Sequence, residues 1–165
     1  MEIDLGTTLV GVVGLAIFAL PFVYDYRNRK KKERLLFQSL KGIAQEHNCE
    51  ISQYEFCSDF IIGLDESKNF AFFYKKKEEN FVSQHVDLSE IQTCHTAKKA
   101  RTIKTKEGNL VITDRIELCF TPANNRMNEI RFELYDKEIN TQLSGQLQLA
   151  DKWVKQLNDR IINIK

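Results

Sequence analysis

Two prolines and seven glycines in 165 residues leave little material for the loops on which familiar chemistry is built. No Gly-rich phosphate cradle, G-x-S-x-G nucleophile elbow, H-E-x-x-H zinc pair or dinucleotide fingerprint occurs in the chain, which removes the enzyme classes that depend on them. The four cysteines, Cys49, Cys57, Cys94 and Cys119, contain no C-x-x-C pair. With His47, His85 and His95 they form none of the close pairs that structural zinc requires. Cys94 and His95 are neighbours on an extended segment, so their side chains point to opposite faces. A chain this size needs no disulfide staples, and the thiols read as free and inert in a reducing compartment. The expectation is no catalytic residue, no cofactor and no metal, with an enzyme of unfamiliar type as the weakest of three readings.

Net charge is also scarce. Glu2 and Asp4 lead the chain, Asp25 follows a long apolar run, and Arg27 to Arg34 set six cations against Glu33, so the overall +1 leaves residues 35–165 at a net −1. Nucleic-acid binding demands a basic face or stripe, and this domain has no charge to build one.

The apolar run is what the chain has in quantity. Leu5 to Tyr24 holds 20 residues without a charge, and as a helix rising ~1.5 Å per residue it spans ~30 Å, the hydrocarbon thickness of a bilayer. A cleaved secretory signal carries its cations before the apolar stretch; here the front is acidic and the rear basic. Arg27, Arg29, Lys30, Lys31, Lys32 and Arg34 keep their end cytoplasmic, which places residues 1–4 outside and the remaining chain inside a plasma (inner) membrane. Thr7, Gly11 and Gly14 permit a helix pair but are ordinary membrane-helix residues. Pro21 is expected to kink the last turn. Tyr24 and Tyr26 sit where interfacial aromatics sit.

Residues 25–48 form the basic junction and a juxtamembrane amphipathic helix, with Leu36, Leu40, Ile43 and Ala44 recurring at three and four from Lys32 to about His47. That helix is expected to dock on the domain that follows. From residue 49 onward the period drops to two. Phe60, Ile62 and Leu64, then Phe70, Phe72 and Tyr74, flank an Asp65–Asn69 turn. Val82, Val86 and Leu88 follow, and a run from Ile91 towards Ile103 is expected to break near Ala97 to Ala100. Leu110, Ile112, Ile116, Leu118 and Phe120 share one face opposite Thr113, Arg115 and Glu117, and Ile130, Phe132 and Leu134 close the set. The chain ends in a helix over 144–164 whose stripe is Leu147, Ala150, Val154, Leu157, Ile161 and Ile164, with Trp153 beside it. This reads as an N-terminal transmembrane helix plus an α+β domain, a bent antiparallel sheet of six or seven strands capped by the C-terminal helix.

The Val86 to Ile91 stretch (VDLSEI) leading into a middle strand, and the Ala150, Trp153, Leu157 spacing in the last helix, resemble a pleckstrin-homology-like domain of the membrane-tethered bacterial type, over residues 50–165. The resemblance implies a strongly bent sheet closed at one corner by the last helix, with Trp153 in the core. It also implies an adaptor that binds lipids, peptides or like domains. Lipid-binding members carry a basic motif at the first hairpin loop, and Asp65–Asn69, read as that loop, offers two acids against one lysine. The leading expectation is therefore a single-pass membrane-anchored scaffold with a protein partner. The alternative is a sensor of anionic lipid headgroups that uses the basic junction with Lys98, Lys99 and Arg101.

Overall fold

The computed structural model describes residues 5–77, 80–106, 108–124, 126–140 and 142–164, with side chains from residue 17 onward. The expected outer tail, residues 1–4, and the side chains of most of the expected span lie outside these. Among the described residues no helix is long and apolar enough to cross a membrane.

The apolar run, the basic junction and the amphipathic segment form one helix, α1 (Leu5–Glu46), which continues through Pro21. Two helices separated at the junction are therefore replaced by a single rod. Proline costs a helix one backbone bond and a clash with the preceding turn, and the long run of good helix formers after it sustains the geometry.

Seven antiparallel strands follow in two sheets, not the single bent sheet expected. The first sheet has the order β1 (Gln53–Cys57), β2 (Phe60–Asp65), β3 (Phe70–Lys77) and β4 (Asn80–Asp87). The second has the order β5 (Ile91–Thr105), β6 (Gly108–Pro122) and β7 (Ile130–Asp136). A 3₁₀ turn, Leu88–Glu90, capped by the Asp87 side chain, makes the corner between them. β1 was not foreseen, because QYEFC has only weak alternation. β5 does not break at Ala97 to Ala100; its ladder with β6 shifts register between Lys99 and Ala100 and then continues. An irregular rung absorbs the polar residues without ending the strand.

The inner faces of both sheets and the last helix, α2 (Gln146–Ile164), enclose one core. Phe60, Ile62 and Phe73 meet Leu118, Phe120 and Phe132 there, with the Phe73 and Phe132 rings stacked at 5.0 Å. The helix buries Leu149, Ala150, Trp153, Leu157 and Ile161. Its buried stripe is thus centred on Trp153, and Leu147 and Val154 lie at the margin. A 165-residue chain with this many aromatics encloses a core of ordinary size.

The outer face of the first sheet is covered as well. Leu36, Leu40 and Ala44 of α1 pack on Ile61 and Phe72 in a second cluster. That explains why every residue of β2 is buried: Phe60, Ile62 and Leu64 face the main core while Ile61 and Gly63 face α1. Gly63 is required by the close approach, since a Cβ there would lie 2.7 Å from Leu40 Cδ2. The expected docking of the juxtamembrane segment on the domain is what the structure has.

Candidate binding surface around the basic helix

One face of α1 docks, and the charges sort around it. Helical spacing groups Arg27, Lys30 and Arg34 away from the sheet and places Arg29 and Lys32 on the side of the docking residues, with Lys31 bordering both sets. All six cations are exposed, and among the described residues the one ion pair inside the segment is Lys30 with Glu33 at 3.8 Å. A helical pair of this kind contributes a few tenths of a kcal/mol, so the segment is in effect uncompensated positive charge.

Where α1 leaves the sheet it is flanked by two grooves. One, of about 510 Å³, lies between Lys32 and Leu35 on the helix and Asp59, Tyr74, Lys76 and Phe81 on the domain. The other, of about 670 Å³, lies between Arg29, Lys31 and Lys32 and the Phe56, Cys57 and Ser58 turn, with Ser144 at its edge. The Ser58–Asp59 turn joins β1 to β2 and is therefore the first hairpin turn; Asp65–Asn69 is the second and lies at the far end of the domain. Reading Asp65–Asn69 as the first was an error that followed from missing β1. The turn itself carries no cation, yet the α1 cations stand beside it.

Beneath the first groove Lys75 is fully buried. Its ammonium lies 3.3 Å from Glu133 Oε1 and 3.7 Å from Asp59 Oδ2, and Lys77 reaches the same glutamate at 2.8 Å. Burial pushes the Glu133 carboxyl up, but the Lys77 hydrogen bond and the two lysine charges outweigh it and hold it below the usual range. Asn140 donates to Asp59 at 3.2 Å. The cluster therefore ties the β1–β2 turn, the end of β3, β7 and the segment after β7 into one pole. Nothing in the sequence alternation marks Lys75 as facing inward.

The other chemistry-bearing residues are dispersed. All four cysteines are free and buried, and burial pushes the thiols of Cys57 and Cys94 up to about 11 and about 12. Such thiols hold their protons and are poor nucleophiles. Pairing of β5 with β6 sets His95 opposite Cys119, and Glu129, just before β7, joins them, the donor atoms of all three lying within 4.8 Å of one another. The sequence concealed this because the three come from separate segments. Tetrahedral zinc ligands at 2.0–2.3 Å stand about 3.3–3.8 Å apart, whereas His95 Nε2 and Glu129 Oε1 are 4.0 Å apart and Arg131 already holds Glu129 at 2.7 Å. Trp153 is in the core and donates its indole N–H to Glu55 Oε2 at 3.1 Å, beside Lys152 at 2.7 Å.

No protein-family model, curated protein or solved structure matches the chain.

Proposed function

We propose that the chain is a single-pass, membrane-anchored binding module with its N-terminus outside and its two-sheet domain in the cytoplasm. The observation that carries this is the continuity of α1: the uncharged run Leu5 to Tyr24, the six cations and the docked segment share one helix. A long helix tethered by a flexible linker would leave the domain free; here the helix is part of the domain's packing. Seven antiparallel strands followed by a helix with Trp153 on its buried face support the pleckstrin-homology-like reading. The reading assigns the chain no reaction. Its recruiting surface is the groove beside Leu35, Tyr74 and Phe81, which continues onto the exposed edge strand β4, where an incoming segment of a protein partner can add a strand.

The test is flotation of the full chain with membranes after alkaline extraction, followed by crosslinking capture from native membranes. Retention in the membrane fraction that is lost on deleting residues 1–24, together with a recurrent protein partner, is the expected result. Extraction at high pH overturns the anchor, and monomeric behaviour with no partner overturns the module.

The groove bounded by Arg29, Lys31, Lys32 and Ser58 favours a second reading, binding of anionic lipid headgroups. The basic charge that the first hairpin turn lacks is supplied there by the adjoining helix. Reconstitution into bilayers with and without anionic lipid, at low and physiological salt, tests it by the salt sensitivity of the contact.

A further inference from the structure

The β5–β6 hairpin outgrows the sheet that supports it. β7 pairs with β6 only from Arg115 to Phe120. Beyond that rung, Ala100–Thr105 and Gly108–Thr113 pair with each other alone. Six residues at ~3.3 Å each carry this ribbon ~20 Å past the last supported rung.

Its root lies at the pole where α1 leaves the domain. Lys137 N donates to Asp114 O at 2.9 Å, Asn140 reaches Asp59 at 3.2 Å, and Asp59 shares a groove with Lys32 and Leu35. From Leu36, the first docked residue, back to Tyr24, the end of the uncharged run, α1 rises ~18 Å. The two arms therefore start from one pole and have matched lengths.

The ribbon is also unusual in what it exposes. Ile103 and Leu110 face each other across the ladder, and they are 39% and 53% exposed; Val111 is 63% exposed. An isolated two-stranded ribbon is marginal in water, and apolar residues on both of its faces make it worse. Arg101, Lys104 and Lys106 line the same arm, with Lys98 and Lys99 at its root, and all five are exposed. Arg101 is paired with Asp114 at the root at 3.1 Å, and Glu107 is the one acid in the arm's sequence against Lys104 and Lys106, leaving the arm positive. A second copy would bring like charge to like; an anionic surface would be attracted.

We propose that the tip of the β5–β6 hairpin is a second membrane contact, with Ile103, Leu110 and Val111 entering the headgroup layer of an anionic bilayer and Lys104 and Lys106 pairing with its phosphates. The inference rests on the membrane-anchored reading. Anchor and hairpin then hold the domain at two points, and lipid charge sets whether the second point engages.

The experiment uses the full chain carrying Val111→Trp, reconstituted into vesicles of phosphatidylglycerol and phosphatidylcholine with brominated acyl chains. Trp153 is buried in the core, so the wild-type chain supplies the unquenched baseline. The expected result is bromolipid quenching of the introduced indole in the anionic vesicles, its reduction in phosphatidylcholine alone, and its loss when K104E and K106E are added. Flotation is scored on the same samples. A chain that floats while the indole stays open to aqueous acrylamide and untouched by bromolipid overturns the hairpin contact and leaves the anchor standing; a chain that does not float overturns the anchor. An indole shielded from acrylamide without bromolipid quenching assigns the tip to a second copy and overturns the bilayer contact. Undiminished quenching in the K104E/K106E chain overturns the headgroup pairing.

Discussion

Trp153 couples two kinds of stabilisation in one side chain, apolar burial in the main core and an indole N–H donated to Glu55. The spacing from Ala150 to Leu157 is readable in the sequence, and so was the buried tryptophan; Glu55 was not, because it belongs to a strand whose alternation is faint. The two contributions separate by substitution. Trp153→Ala is expected to cost about 3–5 kcal/mol, the range for emptying a large aromatic site. Trp153→Phe keeps most of the volume and loses the hydrogen bond, and is expected to cost about 1–2 kcal/mol. Denaturant unfolding followed by circular dichroism distinguishes them, and equal losses for both would mean the hydrogen bond dominates. The thiols make a second residue-scale expectation. A disulfide-exchange reagent should meet no rapidly reacting cysteine in the folded chain and four after unfolding, since burial raises the thiols of Cys57 and Cys94 and all four are enclosed.

Elements are held to one another by a few specific contacts that no periodicity announces. Asn158 on α2 accepts from Cys94 N at 2.8 Å and donates to Cys94 O at 2.7 Å, filling a place on the β5 edge with a side-chain amide. Asn158→Ala leaves both backbone groups without partners and is expected to lower stability by about 1–3 kcal/mol, with faster amide exchange at Cys94. Gly63 plays the corresponding part for α1. A Cβ there meets Leu40 Cδ2 at 2.7 Å, Ile51 Cγ2 at 3.1 Å and Gln53 O at 3.3 Å, so Gly63→Val should lift the helix from β2 at a cost of about 1–3 kcal/mol. Increased hydrogen exchange over residues 36–46 with the α2 segment unchanged is the signature to measure. Periodicity located the helical segments and most strands because each buries one face against a core. It placed the wrong number of sheets because the corner at Leu88–Glu90 is a property of one capped turn, Asp87 accepting from Ser89 N at 2.9 Å. The docking of α1 was legible in Leu36, Leu40 and Ala44, but the sheet face it covers was not, since Ile61, Phe70 and Phe72 satisfy either a wet or a dry outer face until a partner is known.

For the molecule as a whole, acid acts in two stages. His85 on β4 stands 3.9 Å, ring to ring, from His47 at the end of α1; burial and then the His47 charge hold its pKa below 6.5. A histidine depressed in the folded state binds its proton more readily when unfolded, so its contribution is complete above the unfolded value and declines as pH falls through the folded one. Stability should drop as pH is lowered below about 6.5, and His85→Gln should flatten that part of the profile. The second stage involves Asp65, Asp136 and Glu133. Burial raises each carboxyl, but hydrogen bonds and, for Asp136 and Glu133, neighbouring cations leave all three below their ordinary values. Their contribution is present above about pH 4 and is lost below it. A single transition centred near pH 4 in both wild type and His85→Gln would remove the histidine stage. The candidate surface was partly legible: its six cations follow directly from residues 27–34. The groove that gathers Arg29, Lys31 and Lys32 beside Ser58 was not, because it exists only once α1 lies on the sheet.

An uninterrupted α1 makes the orientation of the domain a matter of counting. Each residue of an α-helix advances the chain ~1.5 Å and turns it by ~100°, so one residue inserted between Lys30 and Lys31 would swing the domain a little over a quarter turn about the start of α1 while barely lifting it. Seven would restore the heading to within ~20° but lengthen the rod by ~10 Å, which on the two-point reading proposed above would carry the β5–β6 ribbon out of reach of the bilayer. On the membrane-anchored reading proposed above, the length of the stretch between Tyr24 and Leu36 would act as an angular index, selecting which side of the domain faces its neighbours in the plane of the membrane.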